Sequence, residues 1–298
     1  MQTNTIHCGE AAAILKTLPE HSIDLVVTDP PYLVNYRDRT GRSLENDNNP
    51  DGILPVFEPM ARAMKPDSYA VCFSGWTALP QFSAAWEAAG LRIVSQIVWA
   101  KRYSSRRGYT EYRHESAYVL ANGNPAKPAH PLPSVMDWVY SGNRRHPTEK
   151  AVEVITPLIR CFSKPGDLVC DPFSGSGSTS VAAALSGRDY IGIEIDPQHV
   201  ETAKARLAGV ARFQAQNSGR AVACADRFAR ESLRWTAEMV QFRVFLCLQC
   251  TQLPCTSVPA NHRQAFDRAV HRSQKAHSLL RSAAGRGYGT LLCQGGRG

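Results

Sequence analysis

The stretch that most restricts the fold is an apolar run, Leu168 to Asp171, followed by a glycine-rich turn, Pro172-Phe173-Ser174-Gly175-Ser176-Gly177-Ser178-Thr179. Small, helix-compatible residues follow from Ser180 to Ser186. A strand, a glycine-rich turn and a helix are together typical of an α/β protein that binds a nucleotide-like cofactor at the carboxyl end of a parallel strand. No Gly-Lys-Ser or Gly-Lys-Thr follows, which excludes a Walker loop, and the third glycine of the dinucleotide fingerprint is missing. The turn therefore favours a cofactor without a pyrophosphate.

The next predicted strand, Tyr190 to Glu194, ends on an acid. In nucleotide-binding α/β units, an acid at this place accepts hydrogen bonds from both ribose hydroxyls. An ordinary α/β turn that carries Glu194 by chance is the alternative. The sequence therefore offers one candidate ribose ligand.

Strand-like and helix-like segments alternate along the chain as far as residue 207. Apolar patterns predict further strands at 23–28, 68–74, 92–99 and 116–120. Helical patterns predict helices at 53–64, 79–89, 148–162 and 197–207, with Gly90 at the end of the second and Pro157 inside the third. This alternation predicts an α/β fold with a mostly parallel, doubly wound sheet.

Another apolar run, Ile23 to Thr28, ends on Asp29-Pro30-Pro31-Tyr32. The two prolines have no amide hydrogen and a fixed φ, so the Pro30 carbonyl is held rigidly outside any strand ladder. Asp29 and that carbonyl could accept the two N–H bonds of an amine on a flat ring, while Tyr32 stacks on the ring. A proline-rich turn that simply ends a strand is the alternative, and this motif alone does not decide between them.

Together, these motifs resemble those of the amino-methylating DNA methyltransferases that use S-adenosylmethionine. Asp171 stands 142 positions after Asp29, and this order, with the catalytic motif first, is the circularly permuted arrangement of the beta class. His146-Pro147-Thr148-Glu149-Lys150 resembles the cofactor-flanking motif of that class, His-Pro-Thr-x-Lys-Pro, with Ala151 in place of the last proline. The resemblance covers roughly residues 4–208. It implies a sheet of the S-adenosylmethionine-dependent methyltransferase type with a small, loop-rich target-recognition insert.

The resemblance also implies roles for individual residues. The catalytic residues would be Asp29, Pro30, Pro31 and Tyr32, acting on a base that is extruded from double-stranded DNA. S-adenosylmethionine would lie against Asp171, Phe173, Ser174, Gly175 and Gly177, with Glu194 on the ribose and with Thr148 and Lys150 at the methionine carboxylate. The expected activity is site-specific methyl transfer without a covalent enzyme intermediate.

Which base receives the methyl group is only partly indicated. In the family, Asp at the first position of the catalytic motif accompanies adenine N6 more often and Ser accompanies cytosine N4, so adenine is expected. Cytosine N4 stays open, and so does a catalytically decayed homologue that only binds DNA. A cytosine C5 enzyme would need a thiolate such as Cys255 after Pro254, which would leave Asp29 and Tyr32 without a role.

The net charge of +8 comes from the last 88 residues. Residues 211–298 contain thirteen Lys or Arg and four Asp or Glu, whereas residues 1–210 contain twenty-one and twenty-two. Within the nearly neutral part, basic residues cluster among tyrosines between 101 and 145, which predicts a nucleic-acid surface. The candidate DNA-binding residues are Arg102, Arg106, Arg107, Arg113, Arg144 and Arg145. We expect target recognition from residues 101–145, aided by the loop at 33–51.

These patterns predict a methyltransferase domain at 1–210 and a basic, Arg- and Cys-rich tail of weak or atypical order at 211–298. The tail holds Cys247, Cys250, Cys255 and His262, but only one tidy pair of zinc ligands, so no metal is expected.

Neither a transmembrane run nor a signal peptide is evident, and the scattered cysteines of the first domain indicate a reducing compartment. We therefore expect a cytoplasmic, nucleoid-associated protein, bacterial or phage-encoded, whose partner is double-stranded DNA and not a membrane. The resemblance also allows a homodimer and a cognate restriction endonuclease.

Overall fold

The computed structural model describes residues 2–34, 47–104, 106–107, 109–142, 146 and 148–232, with side chains up to residue 216 apart from 106 and 107. The chain divides into two units, Met1–Phe213 and Gln214–Gly298. Of the second unit, only helical residues that end at Ser232 are described. The predicted domain 1–210 and tail 211–298 therefore stay predictions, and Cys247, Cys250, Cys255 and His262 lie outside the described residues.

The described strands are β1 (Thr5–Cys8), β2 (Ile23–Thr28), β3 (Met64–Phe73), β4 (Leu91–Ala100), β5 (Arg106–Arg107), β6 (Glu111–Tyr112), β7 (His114–Asn122), β8 (Val135–Asp137), β9 (Leu168–Asp171) and β10 (Asp189–Glu194). Eight of them form one sheet in the order β1-β10-β9-β2-β3-β7-β4-β8, and β5 pairs with β6. The strand β7 is antiparallel to both β3 and β4, and the other five neighbouring pairs of the sheet are parallel. The predicted α/β class with a mostly parallel sheet is confirmed.

The described helices are α1 (Ala11–Thr17), α2 (Pro50–Ile53), α3 (Phe57–Ala63), α4 (Leu79–Ala88), α5 (Val152–Phe162), α6 (Ser178–Leu185) and α7 (Pro197–Ser232), with a 3-10 turn at Leu54–Val56. Successive side chains of a strand point to opposite faces of the sheet, so β2 contributes Val26 to one core and Leu25 and Val27 to the other. The first core includes side chains of α1, α3 and α4, and the second includes those of α5 and α6. Helices therefore cover both faces. In this part of the chain, no helix is both long and apolar enough to cross a membrane.

Two predicted helices differ from the structure. Residues 53–64 form the end of α2, the 3-10 turn and α3, while Met64 already begins β3. Pro55 lacks the amide hydrogen that one continuous helix would use, which favours the division. The helix predicted from Thr148 begins at Val152, because Ala151 has an extended backbone with φ −66° and ψ 141°. Residues 148–151 therefore form a non-helical segment that leads into α5.

Five short elements were not predicted, namely β1, α1, β5, β6 and β8. The strand β8 lies within residues 121–145, where the sequence shows no sustained period, and it adds to the sheet by pairing Val135 with Val98 of β4. A strand of three residues is too short for a period of two to be recognised. Pro157, in contrast, lies inside α5 as predicted, and the helix continues past it to Phe162.

Gly177 joins the glycine-rich turn to α6 in a conformation that favours glycine. Its φ of +83° and ψ of 27° are left-handed. A Cβ at this residue would lie 2.7 Å from the Cβ of Ala203 on α7, and Ala203 is completely buried. The close approach of α7 and the backbone conformation therefore both require glycine at this position.

We expect Gly177→Ala to destabilise the fold more than Gly187→Ala does. Gly187 has a φ of +72°, but no atom lies within 4 Å of a Cβ placed there. Both substitutions cost roughly 1–2 kcal/mol for the left-handed backbone, and only Gly177→Ala adds the clash with Ala203. Urea unfolding of both variants measures the difference. Equal losses in the free energy of unfolding would show that the packing of α7 does not constrain this turn.

Candidate active site

The strands β2 and β9 are neighbours in the sheet, and a motif follows each of them. They are parallel, with Val26 opposite Cys170, so their carboxyl ends meet at one edge of the sheet. The hydroxyl of Thr28, the last residue of β2, donates a hydrogen bond of 2.9 Å to Oδ1 of Asp171, the last residue of β9. This contact joins the segment ending in Asp29 to the segment that begins the glycine-rich turn, and the two motifs form one site.

A cleft lies at this edge of the sheet, and the space within it and in front of it, open solvent included, amounts to about 420 Å³. Asp29 lines the cleft at the end of β2. Six of the eight residues that the sequence predicted at the cofactor also line it, namely Thr148, Lys150, Asp171, Phe173, Ser174 and Gly175. The described lining does not include Gly177, Glu194 or the remaining catalytic candidates, Pro30, Pro31 and Tyr32.

Both oxygens of the Asp29 carboxylate have donors. The Tyr32 hydroxyl donates to Oδ1 at 2.7 Å, and the Lys150 ammonium lies 2.5 Å from Oδ2. The same ammonium lies 5.0 Å from the ring centroid of Phe73 and 5.7 Å from that of Tyr32. From the sequence we expected Lys150 at the cofactor carboxylate and Tyr32 against the base. The observed contacts are with Asp29 instead, and the two ligand-binding roles stay predictions.

The position of Tyr32 depends on a glycine after β3. A Cβ on Gly75 would lie 3.2 Å from Cδ2 of Tyr32, so the aromatic ring packs directly against the backbone there. Burial, followed by the nearby charges of Asp29 and Glu115, raises the pKa of the Tyr32 hydroxyl well above its ordinary value. Tyr32 is therefore a hydrogen-bond donor to Asp29 at neutral pH.

Lys150 keeps its charge although its side chain is only 9% exposed. Burial lowers its pKa, whereas the carboxylates of Asp29, Glu115 and Asp171 raise it, and the net shift is upward. Three acids thus act on one buried ammonium. Lys150 consequently contributes a positive charge to the cleft.

Asp171 behaves differently because the hydrogen bonds to its carboxylate come from neutral donors, while burial and, less strongly, the charge of Asp29 raise its pKa. It is 4% exposed, and Oδ1 accepts hydrogen bonds from the Thr28 hydroxyl and, at 3.1 Å, from the amide of Phe173. Burial raises its pKa to about 7, although these hydrogen bonds and one from Thr179 lower it. Asp171 therefore changes its charge near neutral pH.

Glu194 binds the glycine-rich turn from the neighbouring strand β10. One carboxylate oxygen accepts the amide of Gly175 at 2.7 Å, and the other accepts the amide of Asp196 at 2.9 Å. Each carboxylate oxygen has a second lone pair that could accept a hydroxyl hydrogen. The carboxylate is thereby fixed in orientation, and its predicted contact with a ribose stays a prediction.

Arg206 on α7 is an important residue that the sequence did not indicate. Its guanidinium donates to the carbonyl of Ser176 at 2.6 Å and to the hydroxyl of Ser178 at 3.2 Å. It also forms an ion pair of 3.5 Å with Glu149, whose side chain is 3% exposed. Arg206 thus ties the glycine-rich turn to the segment that holds Thr148 and Lys150. No local pattern marks this arginine, because its partners lie in other parts of the chain.

The predicted DNA-binding arginines are only partly described. Arg102 and Arg113 are exposed. Arg106 and Arg107 form β5, and Arg144 and Arg145 lie outside the described residues, as do residues 35–46 of the loop expected to help recognition.

Lys101, which belongs to the same basic cluster in the sequence, is buried instead. Its ammonium pairs with Glu115 and lies 5.4 to 5.9 Å from the ring centroids of Tyr103, Tyr112 and Trp138. The Trp138 indole N–H also donates to the Tyr103 hydroxyl at 3.1 Å. Lys101 therefore holds the described part of the predicted recognition region together, and the sequence pattern did not distinguish this lysine from the exposed arginines.

We expect Asp171 to make the free energy of unfolding fall as the pH rises from about 4 to about 7 and to level off above that. Its folded-state pKa is raised from 3.8 to about 7, so its contribution is fully present below the unfolded-state pKa and is lost as the pH rises through the folded-state pKa. Asp171→Asn cannot ionise and should lose this component, which is on the order of 4 kcal/mol at most. Urea unfolding at about pH 5.5 and about pH 8.5 tests this, and an unchanged pH dependence in the variant would contradict it.

Comparison with known proteins identifies the family. The family model for N6/N4 methyltransferases, described as DNA methylase, matches residues 23–205. The chain is 47% identical over 210 residues to the Escherichia coli (strain K12) protein named "Putative methylase YubD", an alignment that covers 70% of this chain and 92% of that protein. It is 26% identical over 255 residues to "DNA adenine methyltransferase YhdJ" of the same organism, covering 72% of this chain and 86% of the relative.

Solved structures give the same result for the fold. The structure of an M1.HpyAVI–SAM complex superposes with a TM-score of 0.55 at 25% identity and covers 68% of this chain and 98% of that one. The matched sequence includes β2, β9, β10 and all residues that line the cleft. The chain belongs to the N6/N4 DNA methylase family.

Proposed function

We propose that this protein transfers a methyl group from S-adenosylmethionine to the exocyclic N6 amine of adenine in double-stranded DNA, at a specific site. The observation that carries the proposal is the position of Asp29. Asp29 lines the same cleft as the glycine-rich turn, so an amine acceptor and a cofactor site would share one cleft. In such a cleft, positioning alone supplies much of the acceleration of a two-substrate reaction.

The residues of the cleft fit S-adenosylmethionine. The ammonium of Lys150 and the hydroxyl of Thr148 suit its amino-acid carboxylate, and the carboxylate of Glu194 suits the ribose hydroxyls. Phe173, on the same cleft, suits the apolar part of the adenosine. When bound, the cofactor supplies an electrophilic methyl group on a sulfonium. The atoms nearest to a Cβ placed at Gly175 belong to His146, at 3.5 Å, an ordinary contact distance.

Asp29 and the Pro30 carbonyl activate the amine in this proposal. The lone pair of an exocyclic amine is delocalised into its ring, so the amine is a poor nucleophile. Two acceptors on its hydrogens pull the nitrogen toward tetrahedral geometry and free the lone pair for an in-line attack. Asp29 then stabilises the positive charge that develops on nitrogen. The excess proton leaves during or after transfer, and no covalent enzyme intermediate forms.

The target amine is paired inside duplex DNA, so the nucleotide must be extruded to reach Asp29. In this proposal Tyr32, whose hydroxyl donates to Asp29, stacks on the extruded base. Arg102 and Arg113 are exposed on the region proposed for target recognition and suit contacts with phosphate or a guanine edge. Arg106, Arg107, Arg144 and Arg145 are proposed for the same surface.

A homodimer, a cognate restriction endonuclease and a nucleoid-associated location in the cytoplasm of a bacterium remain proposals from the family resemblance.

Adenine is favoured over cytosine on two grounds. The catalytic motif begins with Asp29, as is more frequent for adenine enzymes in the family, and one relative is named a DNA adenine methyltransferase. The family also includes cytosine N4 enzymes, and the proposed chemistry at Asp29 serves either amine. Cytosine N4 is therefore the second candidate.

We expect Asp29→Ala to abolish base methylation, with a loss of at least about 100-fold, as is usual when a group that stabilises transition-state charge is removed. The protein is incubated with unmethylated DNA and S-adenosylmethionine, the DNA is digested to nucleosides, and modified bases are identified by mass spectrometry. Glu201→Gln is the control, because it alters a carboxylate on α7 that is 73% exposed. N4-methylcytosine as the product would overturn the choice of base, and no modified base from folded protein would overturn the activity.

We expect Arg113→Ala to weaken DNA binding and to reduce the slope of log K against log salt by about one, as for the loss of one phosphate contact. The side chain is 54% exposed, so the fold should be unaffected. Arg160→Ala, at an exposed position on α5, is the matched control and should leave the slope unchanged. Titration of labelled duplex DNA at several salt concentrations measures both slopes. Equal slopes for the two variants would remove Arg113 from the DNA surface.

A further inference from the structure

Lys150 lines the cleft together with Asp29 and the glycine-rich turn. It lies in the non-helical segment before α5, two residues after Thr148. Its ammonium nevertheless pairs with Oδ2 of Asp29 at 2.5 Å. The Lys150 ammonium therefore contacts Asp29 and also lines the cleft in which the cofactor is proposed to bind.

The ion pair conflicts with the proposed role of Asp29. Asp29 is to stabilise positive charge on the amine nitrogen, and an ammonium on the same carboxylate repels that charge. The pair is also well enclosed, with side-chain exposures of 9% for Lys150 and 19% for Asp29, so water screens the repulsion poorly. Methyl transfer is therefore favoured when the Lys150 ammonium leaves the Asp29 carboxylate for another partner.

We propose that Lys150 is a positioning residue whose ammonium exchanges between Asp29 and the amino-acid carboxylate of the cofactor, so that cofactor binding frees Asp29 for the amine. This inference rests on the proposed function. The two carboxylates compete for one cation, and linkage then requires that weakening one partner strengthens the other. Removing the charge of Asp29 should consequently tighten the binding of a ligand that carries the amino-acid carboxylate.

The test measures binding of S-adenosylhomocysteine by calorimetry, without DNA and without turnover. This ligand keeps the carboxylate and lacks the sulfonium charge, so Asp29 does not attract its sulfur. We expect Asp29→Asn to bind it at least about fivefold more tightly than the unaltered protein, within the usual range of coupling between sites. Lys150→Met should bind it more weakly, and adding Asp29→Asn to Lys150→Met should change the affinity less than twofold.

Two controls separate exchange from other causes. If Asp29 simply repelled the ligand carboxylate, the tightening would persist in the Lys150→Met background, and the inference would be overturned. With 5′-methylthioadenosine, which has no amino-acid part, Asp29→Asn should change the affinity less than twofold. If one ammonium bridged both carboxylates, Asp29→Asn would not tighten S-adenosylhomocysteine binding, which also overturns the inference.

Lys150→Met leaves Asp29 without its cation and could lower stability, so thermal unfolding accompanies each titration. Lys150→Arg is the second variant. It keeps a cation, and Asp29→Asn should still tighten binding in that background.

The inference and the proposed function fail in different ways. If S-adenosylhomocysteine does not bind the folded, unaltered protein, both fail, whereas binding without tightening by Asp29→Asn overturns the exchange alone and leaves methyl transfer untouched.

Discussion

The parallel pairing of β2 with β9 is the constraint on which the site depends. It places Asp29 and the glycine-rich turn after Asp171 at one edge of the sheet, and the hydrogen bond from Thr28 to Asp171 joins the two chain segments. Parallel neighbours need a long crossover, so the intervening residues can hold β3, β4, β7 and the region proposed for target recognition. The pairing of β2 with β9 therefore brings Asp29 and the glycine-rich turn together although they are far apart in the sequence.

Several charged side chains are largely buried in and beside the cleft, and each is paired with or hydrogen-bonded to its neighbours. Asp29 pairs with Lys150, and Glu149 pairs with Arg206, whereas Asp171 is surrounded by hydroxyl and amide donors and has a raised pKa. Removing one member of a buried pair leaves an uncompensated charge, which is costly. Substitutions here therefore change stability along with chemistry, and binding or activity data need an unfolding measurement beside them.

The parts of the structure that the sequence predicted are those with local signals. The strands β2 and β9 are apolar runs, and Gly90 follows α4 with a φ of +80°, as expected for a helix end. The pairing of Lys150 with Asp29 joins residues 121 positions apart, and no pattern near either residue marks the other. The ion pair of Arg206 was missed for the same reason. Periodicity also placed the start of α5 too early, since it does not report an extended backbone.

The described part of residues 101–145 is not an independent loop, because β7 and β8 are strands of the main sheet. The strand β8 extends the sheet beside β4, and Lys101 pairs with Glu115 on β7 within a ring of aromatic side chains. The charge of Glu115 reaches further and raises the pKa of both Tyr32 and Lys150. A substitution that removed the charge of Glu115, in the region proposed for target recognition, would also remove one of the carboxylates that raise the pKa of Lys150. Glu115 therefore links the region proposed for target recognition to Lys150, the partner of Asp29.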